Sequence, residues 1–398
     1  MTQPLHHELY TPGDRRMMAK QNFVSGLRAF ILNDMANGMK NRYEKHVEAK
    51  ILKANSEPPK DGVEVHKAIK DDIYFKFYSS MRYNTQEMVW RSVQRPLNQN
   101  LDGLNETAAK LMDKATSVGG SIELNPNLPL PKNVSEIDVH LAPGSYHEEF
   151  AENDVASGAI YDHGLNVFSF GMMGTNLDDI GLSFANYIRL KFQDFKPKAI
   201  LDMGCTIGHN SCAWAKTYPN AEVTAIDVAA PSLRYGHARA IAQNVPIHFK
   251  QMDATDMKFE DNSFDVVFSS MFLHELSAKH IVQELSEARR ILKPGGLLIN
   301  MELPPNNELT PYDAFYLDWD AYYNNEPYYK KYRDQDVNEL LEKAGFSPDK
   351  HISFITPQYS YMDEENYKAA IAKEAEFDEN TGRLAAGIQW FGFGAWVE

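Results

Sequence analysis

Cysteine is scarce in this chain, and long apolar runs are missing. Only Cys205 and Cys212 occur among 398 residues, so we expect no disulfide framework and a reducing, cytoplasmic location. Both thiols are predicted to be small buried side chains rather than redox groups or nucleophiles. No apolar run reaches the roughly eighteen residues that a transmembrane helix needs. Residues 1–7 also lack a signal-peptide pattern, so we predict no membrane span.

An excess of positive charge is missing as well. The chain has 40 Lys and Arg residues against 55 Asp and Glu residues, which gives a net charge of −15. Proteins that bind nucleic acids use basic surfaces to displace counterions from phosphates, and anionic lipids attract the same kind of surface. The composition therefore argues against a nucleic-acid or membrane partner, although a local basic groove stays compatible with it.

The length of the chain and its 43% hydrophobic content are enough for two folded units. Residues 1–130 are predicted to form a mostly helical accessory unit, because apolar residues such as Phe23, Leu27 and Phe30 recur on one helical face. Residues 131–170 are predicted to be a connector, with short strands near 137–141 and 166–170. Residues 171–398 contain alternating strand and helix patterns. Two roles are compatible with the accessory helices: they form the interface of a homodimer, or they cover a bound substrate as a lid.

The most specific pattern lies at residues 199–208. An apolar run ends in Asp202 and is followed by the turn Gly204-Cys-Thr206-Ile-Gly208 and a helix-compatible segment from His209 to Tyr218. This order predicts a buried strand, a tight turn and a helix, with glycine where the backbone must approach a ligand. The next predicted strand ends in Asp227, whose carboxylate suits the two hydroxyls of a ribose. The two segments together predict a nucleoside ligand at the carboxyl ends of parallel strands.

Three nucleoside ligands compete for this turn. A dinucleotide fingerprint requires G-x-G-x-x-G and a P-loop requires Gly-Lys-Ser/Thr, and neither spacing is present. S-adenosylmethionine has no phosphate and carries a cationic sulfonium, so acids around the turn favour it. A glycine turn alone is also compatible with an ordinary strand–helix connection.

Further strand patterns follow the turn in a fixed order. Predicted strands end near Asp253-Ala254, at Ser270 and at Glu302, and the helix before the last of these stops at Lys293-Pro-Gly-Gly296. Strands that alternate with helices predict an α/β fold, a doubly wound parallel sheet with helices on both faces.

These segments, taken together, resemble the class I S-adenosylmethionine-dependent methyltransferases from about residue 160 to 398. Within that superfamily they resemble the small-molecule branch that includes the ubiquinone and menaquinone C-methyltransferases. The resemblance implies a seven-stranded Rossmann-like sheet, an antiparallel last strand and S-adenosylmethionine as cofactor. It places the acids and glycines of the turn around the methionine moiety, Asp227 on the ribose, and Asp253 and Ala254 at the adenine. The predicted cofactor site comprises Asp202, Gly204, Cys205, Thr206, Gly208, Asp227, Val228, Asp253, Ala254 and Ser269.

Three side chains are candidates for catalysis. His274 follows the fourth strand of the pattern, whose carboxyl end faces the cofactor, and a histidine near its ordinary pKa can take a proton at neutral pH. Tyr161 and His163 precede the first strand, in a segment that often folds over the cofactor in this superfamily. A structural role is the competing interpretation for all three. We predict no metal site.

An aromatic insert at residues 304–335 is the candidate substrate site. Its tyrosines are interleaved with acids, including Asp320 and Glu326, which suits a cationic or amine acceptor through cation–π attraction. The tyrosine hydroxyls equally suit an acceptor with a carboxylate or a phenol, and an aromatic packing layer is the competing interpretation. The predicted substrate-binding residues are Tyr316, Tyr322, Tyr323, Tyr328 and Tyr329.

The sequence therefore predicts an enzyme that transfers a methyl group from S-adenosylmethionine to an O, N or S nucleophile of a small molecule. Two alternatives stay open. One is a protein or RNA methyltransferase that docks its substrate through the N-terminal unit, and the other is a non-catalytic cofactor-binding subunit.

Overall fold

One mixed sheet of eight strands runs through the molecule in the order β1-β4-β3-β2-β5-β6-β8-β7. The structure is a computed structural model that describes residues 7–11, 13–373, 375–378, 380–384 and 387–398. β1 to β6 pair in parallel, whereas β8 pairs antiparallel with both β6 and β7. The strands are β1 (Ser121–Glu123), β2 (Ala199–Met203), β3 (Glu222–Asp227), β4 (His248–Gln251), β5 (Phe264–Ser270), β6 (Leu292–Glu302), β7 (His351–Pro357) and β8 (Gln389–Trp396).

The predicted strand–turn–helix order is confirmed, with one strand more than predicted. The seven-stranded sheet and its antiparallel last strand are present, and β1 adds an eighth strand at the edge beside β4. β1 lies in the region that was predicted to be helical. Its three residues are too short to give a strand pattern and are extended because they pair with residues 248–250.

Helices cover both faces of the sheet, as a parallel sheet requires. One core layer joins α10 and α11 to β2 and β5 around Phe184, Trp214 and Phe268. On the other face, α13 and α16 pack through Leu285 and Leu341. The helices from α9 onward are α9 (Ala156–Phe168), α10 (Asp179–Lys191), α11 (His209–Thr217), α12 (Ala230–Ala242), α13 (Ala278–Ile291), α14 (Pro311–Tyr323), α15 (Tyr329–Arg333), α16 (Val337–Lys343) and α17 (Glu364–Ile371).

The N-terminal part is helical, as predicted, and packs directly on the insert. A third core layer joins α5 to α14 through Phe75, Tyr78, Phe315 and Trp319. Asp72 is the N-cap of α5, and its carboxylate accepts from the backbone N–H of Tyr74. The helices are α1 (Arg15–Phe30), α2 (Ala36–Arg42), α3 (Ala49–Asn55), α4 (Gly62–Ile69), α5 (Ile73–Gln99), α6 (Leu101–Met112), α7 (Ala115–Val118) and α8 (Lys132–Ser135), with π-helical turns at Ile31–Met35 and Tyr43–Glu48.

The two short strands predicted in the connector are wrong. Residues Val139–Leu141 form a single 3₁₀ turn, and residues 166–168 are the last turn of α9. α9 buries a helical face against α5 and α12, with Gly164 against the Trp90 ring and Gly158 against Tyr235. These contacts with distant parts of the chain favour a helix, rather than the predicted strand, at residues 166–168. Within the described ranges, no helix has both the length and the apolar content needed to cross a bilayer.

Candidate active site

The glycine turn lies between β2 and α11, at the carboxyl edge of the sheet. Gly204 and Gly208 adopt positive φ angles of 64° and 68°, which glycine tolerates without strain. The N–H of Thr206 donates to Asp227 Oδ2 at 2.9 Å, and the N–H of Ala229 donates to Asp227 Oδ1 at 2.9 Å. The carboxylate at the end of β3 is therefore fixed against the turn.

Asp202 brings a buried acid to the same turn. Its side chain accepts a hydrogen bond of 2.5 Å from Ser211 Oγ, and 2% of the residue is exposed. Burial raises the pKa of Asp202 to about 7, since the hydrogen bond from Ser211 offsets only part of the desolvation. No cationic side chain of the described residues lies within salt-bridge distance of it. A cationic ligand group would fit here.

The remaining predicted cofactor residues lie on neighbouring strands of the sheet, and their side chains have different partners. Asp253 Oδ1 accepts from both the N–H and the hydroxyl of Thr255 at 2.8 Å, next to the buried Ala254. Val228 directly follows Asp227. Ser269 is fully buried in β5 and donates to Asn300 Oδ1 at 2.7 Å, so the structure places it in the sheet interior.

A cavity of about 1490 Å³, its open mouth included, joins the turn to the insert. Its lining runs from the cofactor turn to the aromatic insert, so one continuous space connects the predicted cofactor site with the candidate substrate site. Asp202, Gly204, Cys205 and Thr206 line it at the turn, whereas Gly208, Asp227, Val228, Asp253, Ala254 and Ser269 are outside this lining. α1 and α5 contribute Arg28 and Trp90 to the wall, so the N-terminal helices help to close the cavity.

His274 lies in this cavity wall, held by a carboxylate. Its Nδ1 is 2.6 Å from Glu302 Oε2, and its Nε2 is 3.7 Å from Glu326 Oε2. Burial alone would lower the pKa of His274, but Glu302 and Glu326 outweigh it and raise the pKa to about 9. The imidazole is therefore protonated at neutral pH and donates to Glu302. In that state it has no lone pair to accept a proton.

Three groups that the sequence reasoning did not select as site residues complete this region: His140, Tyr146 and the carboxylate of Glu326. His140 lies 3.3 Å from Glu326 and 3.5 Å from Glu275. Burial opposes its charge, yet Glu326 and Glu275 raise the pKa of His140 to about 10. Glu326 Oε2 is buried without a hydrogen-bond partner among the described residues. An unused acceptor in a cavity wall is a place for a ligand donor.

His140 escaped prediction because distant residues position it. Its carbonyl accepts from Gln86 Nε2 at 2.9 Å and from Trp90 Nε1 at 2.7 Å, both on α5, and its φ is 57°. Tyr146, from the same connector, also reaches the cavity. No local sequence pattern signals either contact.

Tyr161 and His163 fall on different sides of α9. Tyr161 lines the cavity, and burial raises its pKa to about 12. His163 faces away from the cavity. Its Nδ1 donates to the carbonyl of Ala159, and its Nε2 accepts from the N–H of Thr11, both at 2.8 Å. The structure thus gives His163 a packing role that ties the N-terminal segment to α9.

Of the five tyrosines predicted to bind the substrate, some line the cavity and others do not. Tyr316 and Tyr329 line the cavity, and Tyr329 packs edge-to-face on His274 with ring centroids 4.5 Å apart. Tyr322 is 76% exposed, and Tyr323 packs against Tyr83 on the outer surface. Tyr322 and Tyr323 are outside the cavity lining because α14 turns only one face inward, and Tyr328, which directly precedes α15, is outside it as well.

Comparison with known proteins agrees with the fold and the turn. Residues 200–296 match the family model described as a methyltransferase domain. A demethylmenaquinone methyltransferase of Thermus thermophilus is 32% identical over 127 residues, which are 32% of this chain and 55% of that protein. A ubiquinone/menaquinone biosynthesis C-methyltransferase of Brucella canis is 33% identical over 145 residues, which are 32% of this chain and 53% of that protein.

Solved structures similar to the chain include a SAM-dependent methyltransferase from Aquifex aeolicus, at 18% identity with a TM-score of 0.34 over 56% of this chain and 95% of that one. A phosphoethanolamine N-methyltransferase from Haemonchus contortus, solved with phosphomonomethylethanolamine and S-adenosylhomocysteine, is 18% identical with a TM-score of 0.40. That match covers 63% of this chain and 60% of the other.

The family match, the sheet order and the glycine turn together define a class I S-adenosylmethionine-dependent methyltransferase domain. Within that class the chain is similar to the ubiquinone and menaquinone branch. The chain spans about half the length of the curated relatives it matches.

Proposed function

We propose that the chain transfers a methyl group from S-adenosylmethionine to a small-molecule acceptor held in the cavity between the turn and the insert. The observation that carries this proposal is one continuous cavity lined both by the turn and by buried polar side chains of the connector and insert. The relatives' names describe methylation of quinone precursors, which are small molecules. The similarity is confined to the cofactor-binding part, so the acceptor is inferred from the cavity.

The residues of the turn fit the cofactor. Asp202 offers a buried carboxyl to a cationic group, and His209 has a buried Nδ1 without a hydrogen-bond partner among the described residues. When bound, S-adenosylmethionine would supply a sulfonium methyl group for in-line displacement, in which the bond from the methyl carbon to sulfur breaks as the bond to the acceptor forms and S-adenosylhomocysteine is the leaving group. The protein's own tasks are to align the acceptor, to exclude water and to receive any proton that the acceptor loses.

We assign the proton-accepting role to Glu326 rather than to His274. Glu326 belongs to the cavity lining, and its buried Oε2 has no hydrogen-bond donor from the described residues, so this carboxylate is free to accept from an O–H or N–H of the acceptor. His274 and His140 flank this carboxylate as cations and hold its orientation. Tyr161 and Tyr329 then provide hydroxyl groups along the wall.

The N-terminal helices act as a lid in this proposal. Arg28 and Leu32 reach the cavity from the α1 region, and Trp90 reaches it from α5. An acceptor enclosed by these side chains must be small. A macromolecular substrate would need a wider opening at the same place.

The proposal is tested by identifying the molecules that receive the labelled methyl group. The protein is incubated with methyl-labelled S-adenosylmethionine and a cell extract divided into low-mass, protein and nucleic-acid fractions. We expect label in the low-mass fraction, and Glu326→Gln should reduce its rate by about 10²–10⁴-fold if the acceptor loses a proton. Glu339→Gln, which alters an exposed carboxylate, should keep the wild-type rate. Label in protein or RNA would overturn the proposal, and so would cofactor binding without transfer to any fraction.

A further inference from the structure

A second polar region of the cavity wall lies around Arg28 of α1, which belongs to the lining. Arg28 is 1% exposed, and its guanidinium stacks on the Phe168 ring at 3.7 Å from the ring centroid. Leu32, Trp90, Leu317 and Trp390 are further members of the cavity lining. This charged group therefore belongs to a largely apolar chamber.

Every described partner of Arg28 is neutral. Its Nε donates to the carbonyl of Phe168 at 2.8 Å, and its Nη1 donates to Gln86 Oε1 at 2.6 Å. The described residues offer no acceptor for Nη2, and none of their carboxylates lies within 4.0 Å of the guanidinium. A buried charge without a counter-charge is costly, so such a site is expected to receive one.

The nearest acid is already used by another arginine. Asp320 accepts from Arg82 Nε at 2.5 Å and from Arg82 Nη2 at 3.1 Å. Gln86 Oε1 bridges the two arginines, because it also accepts from Arg82 Nη1 at 3.0 Å. Arg28, Arg82 and Asp320 together leave one unbalanced positive charge beside the cavity. Desolvation, and then repulsion from Arg82, lower the pKa of Arg28 well below its usual value.

We infer that Arg28 binds an anionic group of the methyl acceptor, so that the substrate class is an apolar or aromatic molecule bearing a carboxylate or a phosphate. Arg383, which lies over the Tyr316 ring at 4.0 Å, lines the same cavity as a second cation. The acidic side chain Glu326 and the cofactor turn line the cavity as well. An acceptor anchored by its anion at Arg28 can thus present its nucleophile towards the turn. This inference rests on the proposed function and names its substrate class.

The test measures binding of simple probes to the protein saturated with S-adenosylhomocysteine, in low-chloride buffer. Benzoate and phenyl phosphate carry the two candidate anions, and benzamide is the neutral match of benzoate. We expect at least one anion to bind about 10- to 100-fold more tightly than benzamide, the size of a charge-assisted hydrogen bond. The stronger of the two anionic probes identifies the group.

Four variants make the assignment to Arg28 specific. Arg28→Gln should remove the preference for the anion, and Arg28→Lys should keep part of it. Gln86→Glu places a carboxylate against Arg28 inside the protein and should also remove the preference, even if Arg28→Gln does not fold. Arg42→Gln is the control, because Arg42 is a surface partner of Asp72 and should leave the preference unchanged.

Equal binding of the anions and benzamide to the wild type would overturn the inference, and so would a preference that survives in Gln86→Glu or Arg28→Gln. Affinity for S-adenosylhomocysteine is measured in parallel. If the wild type binds S-adenosylhomocysteine but does not prefer the anions, the anion site alone is rejected. If the wild type does not bind S-adenosylhomocysteine at all, the proposed function is rejected.

Discussion

At the scale of single residues, burial decides which charge each side chain of the site carries. Asp202 titrates near neutral pH because burial raises its pKa to about 7. A carboxylate attracts a cationic ligand and a neutral carboxylic acid does not, so cofactor binding should become tighter as the pH rises through 7. The affinity for S-adenosylmethionine should increase up to about tenfold per pH unit between pH 6 and 7 and level off above pH 8.

Titration calorimetry of Asp202→Asn checks this expectation. The variant should bind the cofactor about 10- to 100-fold more weakly than wild type at pH 8, with a much smaller difference at pH 6. Asp256→Asn removes an exposed carboxylate and should follow the wild-type pH profile. A wild-type affinity that is constant from pH 6 to 8 would contradict the role of Asp202.

At the scale of elements, the insert helix α14 and the short helix α15 bring only some of their aromatic side chains to the cavity. Tyr316 and Tyr329 line it, whereas Tyr322 is 76% exposed. Tyr329→Phe should raise the acceptor KM or lower turnover by about fivefold, equal to one lost hydrogen bond of about 1 kcal/mol, with cofactor affinity unchanged. Tyr322→Phe is the matched control. Equal kinetics for both variants would make the insert a packing layer only.

The helices and strands also show which parts of the fold and site can be predicted from the sequence. Local patterns predicted the strand before the glycine turn and Asp227 at the end of the next strand, because apolar runs and turn residues act locally. The antiparallel direction of β8 was predicted only from the family resemblance. β1 and the position of His140 depend on pairing with β4 and on hydrogen bonds from α5. The role of Arg28 could not be predicted from the sequence either. It follows from the burial of its guanidinium without a carboxylate partner among the described residues, which only the folded structure shows.

At the scale of the whole molecule, burial and neighbouring carboxylates give the buried histidines different charges: His140 and His274 of the cavity are cations, whereas His163 in the helical packing is neutral. His140 and His274 lie among carboxylates that raise their pKa to about 10 and about 9. The favourable interactions of these two imidazoles are fully present below pH 6.5 and are lost as the pH rises through 9 to 10. The proposed proton acceptor, Glu326, is thus held between two cations over the neutral range.

His163 behaves in the opposite way and links the N-terminal segment to the rest of the fold. Its hydrogen bonds with Thr11 and Ala159 require the neutral imidazole with a proton on Nδ1, and desolvation lowers its pKa to about 4. The stability gained from the neutral form is therefore fully present above pH 6.5 and is lost as the pH falls from 6.5 towards 4. The loss amounts to about 3 kcal/mol, at 1.36 kcal/mol per pKa unit.

Urea unfolding of His163→Gln at two pH values tests this link between the terminal segment and α9. The variant should be less stable than wild type by about 1–3 kcal/mol at pH 7.5, because it loses two buried hydrogen bonds. The difference should shrink or change sign at pH 4.5, because unfolding of the wild type then releases His163 to take up a proton, which stabilises its unfolded state, whereas the variant has no such group. The exposed His280 provides the control, and His280→Gln should give the same small difference at both pH values. A His163→Gln difference that stays constant between pH 7.5 and 4.5 would show that the imidazole does not control acid stability. In that case the attachment of the N-terminal segment would depend on His7 and its ion pair with Asp162 instead.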